Sequence, residues 1–233
     1  MPTLYLIPTV LADNTADQVL SPQIRDVISK LDAYFVENVR TARRFISSLK
    51  TGKVIDELSF FDLNKDTTDI DVRRNMQALT DRKQDAGVLS EAGCPGVADP
   101  GAAAVRVAHQ LGWTVVPLVG PSSILMALMA SGMSGQSFVF HGYLPIDRGE
   151  RSKTLKQLEK EARLKQQTQI FMETPYRNNQ LMGDVLSACA GDSRLCVACN
   201  VTAPDAFIKT KTIKDWKGQL PDLHKKPTVF LLF

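Results

Sequence analysis

Long apolar runs are missing from this chain of 233 residues, and with them the ~20 consecutive apolar positions that a membrane-spanning helix needs. A surplus of either charge is missing too. The 28 basic and 25 acidic residues leave a net charge of +3, which permits an RNA partner without arguing for one. Histidine and cysteine are scarce, at three and four, and aromatics make up 7%. The opening Met1-Pro2-Thr3-Leu4-Tyr5-Leu6 has neither the basic stretch nor the long apolar stretch of a secretory signal. The cysteines are therefore expected as reduced thiols in the cytoplasm. Cys196-Val197-Ala198-Cys199 has C-x-x-C spacing but lies in an apolar run that reads as a strand, where positions three apart face opposite ways. Packing, not metal binding, is the expectation there, and no metal site is expected elsewhere. Internal repeats and low-complexity tracts are absent as well.

What is present is an ordinary globular composition, 44% hydrophobic and 23% charged, with room for one large domain or two small ones. The most unusual stretch is Ser90 to Gly101, with three glycines and two prolines in twelve residues. An apolar run, Ala86-Gly87-Val88-Leu89, precedes it and reads as a buried strand. An alanine-rich helix, Ala102 to Leu111, follows. In α/β sheets the loop leaving a strand's carboxyl end is where small ligands usually sit. Asp99 and Pro100 are explained as the start of the next helix. Glu91 to Val97 has no such explanation and is the candidate site.

Further strands are expected at Leu4–Ile7, Ala33–Val36, Leu58–Leu63 and Trp113–Leu118, alternating with a helix capped by Ser21-Pro22 and helices over Asn38 to Leu49 and Asp69 to Leu79. Such alternation implies a largely parallel sheet. After Val119-Gly120-Pro121-Ser122-Ser123 comes a helix, Ile124 to Ala130, apolar nearly all round and expected to be buried. The later strands, Ser137–Phe140, Gln169–Met172, Leu195–Cys199 and the run ending at Phe233, have fewer helices between them. His141 to Gly149 reads as a loop, and Arg151 to Leu164 as a charged, solvated helix. The fold class is therefore α/β, as two α/β domains over 1–119 and 120–233, the first mainly parallel and the second with a mixed sheet.

These residues resemble the tetrapyrrole methylase family, the class III S-adenosylmethionine methyltransferases, and within it the small-subunit ribosomal RNA ribose 2′-O-methyltransferase branch. The similarity rests on five segments in collinear order: Glu37-Asn38-Val39-Arg40, Ser90-Glu91-Ala92-Gly93-Cys94-Pro95, Val119-Gly120-Pro121-Ser122-Ser123, Gly142-Tyr143-Leu144-Pro145 and Phe171-Met172-Glu173-Thr174-Pro175-Tyr176-Arg177. The resemblance implies S-adenosylmethionine bound in a cleft between two α/β domains, a homodimer, and ribosomal RNA or the small ribosomal subunit as partner. It carries Glu91, Ala92, Gly93, Cys94 and Val97 to the cofactor loop. Ser122 and Ser123 fall at the methionine end, Glu173 at a lining position, and Val201 and Thr202 near the adenine. Departures are equally clear. The branch's first loop is glycine-rich, whereas Pro8-Thr9-Val10-Leu11-Ala12-Asp13-Asn14 has no glycine, and Asn38 replaces an aspartate.

Methyl transfer to a ribose hydroxyl needs orientation and a destination for the hydroxyl proton. Glu37 and Glu173 are the carboxylates at matching positions, each equally readable as a cap or as an ion-pair partner of Arg40 or Arg177. Pro8, with Arg40, Arg43 and Arg44 on one helix, forms the candidate substrate side, the arginines tracking phosphates. A solvated helix face is the plainer alternative for those arginines, and a simple helix cap for Ser122-Ser123. His141 has no evident partner. Two other functions fit the same residues: methylation of a tetrapyrrole or another small or protein substrate, and a non-catalytic cofactor-binding module.

Overall fold

Short, mostly apolar runs form the strands of the first half, and the two that are apolar throughout, Ala33–Val36 and Ala86–Leu89, are buried along their whole length, as a sheet covered on both faces requires. The computed structural model describes residues Met1 to Phe233, and they divide into two compact units, Met1–Ser122 and Ser123–Phe233. In chain order the first contains β1 (Thr3–Ile7), α1 (Ala16–Val19), α2 (Pro22–Ile28), β2 (Ala33–Val36), α3 (Val39–Ser48), β3 (Ser59–Asp62), α4 (Asp69–Asp81), β4 (Ala86–Leu89), α5 (Gly101–Gln110) and β5 (Thr114–Pro117). The five strands are all parallel, in the order β3-β2-β4-β1-β5.

Strand periodicity sorts the core onto two faces. Ile7, Tyr34, Val36 and Leu89 pack with Ile24, Ile28, Ala42 and Ile46 of α2 and α3. Leu4, Ala33, Phe35 and Val88 pack with Val72, Met76, Ala104 and Val107 of α4 and α5. β1 and its neighbour β4 thus send their connections to opposite faces. That switch opens a crevice at the carboxyl ends of the strands, where such sheets bind ligands.

The second unit contains α6 (Ser123–Ser131), β6 (Phe138–Tyr143), α7 (Arg148–Lys165), β7 (Thr168–Met172), α8 (Asn178–Ala188), β8 (Arg194–Cys199), β9 (Phe207–Thr212), α9 (Ile213–Trp216) and β10 (Thr228–Leu232). Its sheet runs β6-β7-β10-β8-β9 and is mixed, with only β6 and β7 parallel. No helix of the structure is long and apolar enough to cross a membrane.

Several local expectations are corrected. His141 to Tyr143 belongs to β6, not to a loop, because an irregularity between Phe140 and Tyr143 lets pairing resume at Met172. α6 is not buried all round: Ile124, Ala127, Leu128 and Ser131 face the sheet, while Leu125 is 50% and Met129 83% exposed. Only one side of a helix can lie on a sheet, and Thr210 Oγ1 donates to the Ser131 carbonyl (2.8 Å) on that side. Nor is the charged α7 wholly solvated. Arg151 is 2% exposed, its Nε donating to Asp184 Oδ2 (2.9 Å) and its Nη1 to the carbonyls of Pro145 (3.0 Å) and Ile146 (2.7 Å). Ser21 precedes α2 as expected, yet its hydroxyl makes no cap bond and Pro22 alone starts the helix. Cys196 and Cys199 are both buried and unbridged, as core packing requires.

Candidate functional site

The loop after β4 is held from three sides. The Thr9 amide donates to the Gly93 carbonyl (3.0 Å), and Ser90 Oγ donates to the same oxygen (2.6 Å). Cys94 Sγ donates to the Pro121 carbonyl (3.4 Å), and burial pushes its thiol pKa up, so it serves as a donor and not as a thiolate. Asp99 Oδ1 accepts from the Gly101 amide (2.7 Å) and from the Gly96 amide (2.9 Å), but α5 starts one residue later than expected, at Gly101 with Pro100 as its N-cap, so Asp99 braces the turn ahead of the helix. That second bond closes the Gly96–Gly101 turn on itself. Gly93 has φ +76°, and a Cβ there would lie 3.1 Å from Leu11 Cδ2 and 3.2 Å from the Pro121 carbonyl. Only glycine holds this turn without strain.

Within that frame Glu91 and Ala92 are exposed, Gly93 is buried, Cys94 is half-buried and Val97 is 51% exposed. The Glu91 carboxyl lies above its ordinary pKa, first through burial and then through the charges of Glu37 and Asp99, against a bond from Thr41 that lowers it. Glu37 and Glu91 share a cavity of about 360 Å³ with Asn38, Asn64, Lys65 and Asp66. Asn38 Oδ1 accepts from the Arg40 (2.9 Å) and Thr41 (3.2 Å) amides, so the cap of α3 survives without the aspartate charge.

A larger cavity, about 780 Å³, lies wholly in the first unit between the first loop, α3 and Ser90–Ala92. The glycine-free first loop makes its turn through Asn14, at φ +60°, a conformation asparagine tolerates better than most residues. Pro8 is buried, with its ring where a Cβ on Gly120 would come within 2.2 Å, so it supports the loop and does not face a substrate. The three arginines separate. Arg44 lines the cavity, whereas Arg43 is paired with Asp56 and lies over Phe60, 6.0 Å from ring centroid to Cζ. Arg40 is exposed at the start of α3 and lines neither cavity. At about 100° per residue, Thr41, Arg44, Phe45 and Ser48 turn one face to the cavity and Arg43 the other. Lys50, which the sequence did not single out, lines the cavity just past the helix end, where its left-handed backbone (φ +54°) turns the chain, and no helix periodicity could have marked it.

In the second unit Glu173 is buried. Its Oε1 accepts from the Thr174 amide (2.7 Å) and from Arg177 Nη2 (2.7 Å), the ion pair that was one reading of it and not a free base. Ser123 opens α6. Val201 is buried, and Thr202, at φ +76°, carries a buried hydroxyl with no hydrogen-bond partner. His141 Nε2 is 2.7 Å from Gln169 Oε1, inside the sheet. No group of three or more His, Cys, Asp or Glu side chains is placed to hold a metal ion.

No protein-family model matches the chain. It is 30% identical over 204 residues to "Ribosomal RNA small subunit methyltransferase I" of Vibrio cholerae, covering 86% of this chain and 65% of that protein. It is 32% identical over 207 residues to the Bacillus subtilis protein of the same name, covering 87% and 64%. The chain thus spans a little under two thirds of the length of these relatives. Among solved structures, the methyltransferase CobJ superposes with a TM-score of 0.66 at 14% identity, covering 100% of this chain and 94% of that one. Uroporphyrin-III-C-methyltransferase from Thermus thermophilus superposes with a TM-score of 0.55 at 15% identity, covering 99% and 91%. The five segments, the parallel and mixed sheets and these relatives agree: the chain has the fold of the methyltransferases CobJ and uroporphyrin-III-C-methyltransferase, and over most of its length it is similar in sequence to proteins named for small-subunit ribosomal RNA methylation.

Proposed function

We propose that this chain is an S-adenosylmethionine-dependent methyltransferase whose acceptor is a ribose 2′-hydroxyl of small-subunit ribosomal RNA, acting in the cytoplasm as a homodimer. The observation that carries this reading is the similarity, over 86–87% of the chain, to relatives named for ribosomal RNA small-subunit methylation.

The residues suit the cofactor. The Glu91–Cys94 loop presents backbone at a strand end with only small side chains beyond Glu91, and the unpartnered Thr202 hydroxyl is a polar atom awaiting a ligand. Ser122 and Ser123, at the start of α6, offer hydroxyls and a helix N-terminus to a carboxylate. S-adenosylmethionine supplies a methyl group already activated on a sulfonium. The chain's own part is orientation, which contributes roughly 7–11 kcal/mol when reacting atoms are well aligned. Glu37, exposed beside Glu91, takes up the hydroxyl proton. Glu173 holds the Thr174–Arg177 turn in shape.

Calorimetric titration with S-adenosylmethionine, followed by transfer of labelled methyl to 30S subunits, tests the reading. Saturable binding and label in ribose are expected; absence of cofactor binding would sink every methyltransferase reading. The fold shared with CobJ and uroporphyrin-III-C-methyltransferase favours one alternative, a tetrapyrrole acceptor. Label entering a precorrin-type macrocycle and not RNA would establish it.

A further inference from the structure

The 780 Å³ cavity of the first unit is the feature that the reaction above leaves unused. Ligand pockets commonly measure about 300–1,000 Å³, so a nucleotide fits within it. Its wall is apolar along Leu11, Phe45 and Leu49 and polar at Thr41, Ser48 and Glu91. Of its three cations, Arg25 is already paired with Asp17. Arg44 and Lys50 are exposed and form no ion pair with any carboxylate of the chain. The cavity's carboxylates are Asp13, Asp17 and Glu91, of which Asp17 is taken by Arg25; Arg44 and Lys50, beside the apolar wall and its hydrogen-bonding groups, are the cations left to meet an anionic ligand that carries a flat, partly polar body.

We infer that this cavity seats the RNA nucleotide that presents its ribose for methylation, with Arg44 and Lys50 holding the flanking phosphates. The inference rests on the RNA reading above and names the surface that reading lacks. The base lies against the Leu11 and Phe45 wall, where stacking and burial do not depend on sequence. Thr41, Ser48 and Glu91 meet its polar edge. The cavity borders Ser90–Ala92, the start of the proposed cofactor loop, so a nucleotide seated here has its ribose next to that loop. Arg43, held by Asp56 on the other side of α3, takes no part.

The test is binding of purified 30S subunits as a function of salt, with S-adenosylmethionine affinity measured on the same proteins. Arg44→Gln with Lys50→Gln is expected to weaken subunit binding at least ten-fold. It should also reduce the slope of log affinity against log salt by about 1–2, the loss of up to two phosphate contacts. Ser48→Trp, which fills the cavity without altering charge, is expected to weaken binding as much but leave the salt slope unchanged. Arg82→Gln, which removes an exposed charge at the far end of α4, serves as the control and should shift binding less than two-fold. Cofactor affinity should be unchanged throughout. Wild-type binding that survives both the double variant and Ser48→Trp would overturn the cavity assignment while leaving the RNA reading intact. A wild-type chain that binds cofactor but no subunit would overturn both.

Discussion

Gly93 and Glu91 show how much of the loop depends on single atoms. A methyl group at position 93 would meet Leu11 and the Pro121 carbonyl in a conformation that L-residues disfavour, so Gly93→Ala is expected to cost about 1–2 kcal/mol. Urea unfolding measures that cost. Cofactor titration of the same variant should show weaker binding, because the turn must move. Glu91 makes a pH prediction. Its folded-state pKa is raised, so between the unfolded and folded values the native chain holds more protons, and stability falls as pH rises through that window. Glu91→Gln removes the repulsion from Glu37 and Asp99. Thermal melts should show the variant more stable than the parent at neutral pH, with the difference vanishing below the ordinary carboxylate range. Equal melting at both pH values would refute the charge argument. At this scale the sequence was readable where a partner lies close in the chain: Asp99 bonds the Gly101 amide just ahead of α5, although Pro100 and not Asp99 is the cap residue, and Glu173 pairs with Arg177. It was not readable where the deciding contact comes from elsewhere. Pro8 is buried by Gly120, and Arg43 is claimed by Asp56.

At the scale of elements, the strands were legible because apolar runs of four to six residues between turn signals have few other fates in water. α6 shows the limit. Apolar residues all round its circumference say that it avoids water on one side but not which side, and the sheet takes Ile124, Ala127 and Leu128. The buried Arg151 was illegible for a different reason. Its partner Asp184 stands 33 residues away, on α8, and an arginine in a charged helix gives no sign of turning inward. Arg151 ties α7 to α8 and to the Pro145 and Ile146 carbonyls. Breaking a buried ion pair from one side strands the other charge, although Arg148 also reaches Asp184 (3.1 Å). Arg151→Met is therefore expected to lower stability by about 3–5 kcal/mol, and adding Asp184→Leu should restore part of the loss. A double-mutant cycle by chemical denaturation measures both. No recovery in the double variant would place the loss in the Pro145 and Ile146 bonds.

For the whole molecule, each unit has its own sheet and its own buried core, and each holds one of the chain's two tryptophans. Trp113 Nε1 donates to Thr80 Oγ1 (2.9 Å) in the first unit, and Trp216 Nε1 to the Leu195 carbonyl (2.8 Å) in the second. Single-tryptophan variants, Trp113→Phe and Trp216→Phe, therefore report one unit each. Their fluorescence transitions in urea are expected at different midpoints; coincident transitions with the slope of a single 233-residue unit would show instead that the units unfold together.

The first loop is fastened mainly at its ends, with Thr15 Oγ1 donating to the Ala12 carbonyl (2.7 Å) between them. Pro8 rests on Gly120, the Thr9 amide is bonded to Gly93, and Asn14 makes the turn back toward α1. Val10 to Asp13, between these anchors, all line the large cavity. This segment is a replaceable cassette: its side chains can change what the cavity accepts while the parallel sheet and the loop after β4 keep their positions. A chain of this kind could acquire a new acceptor through three consecutive codons, Leu11 to Asp13, leaving Val10 in place against the core.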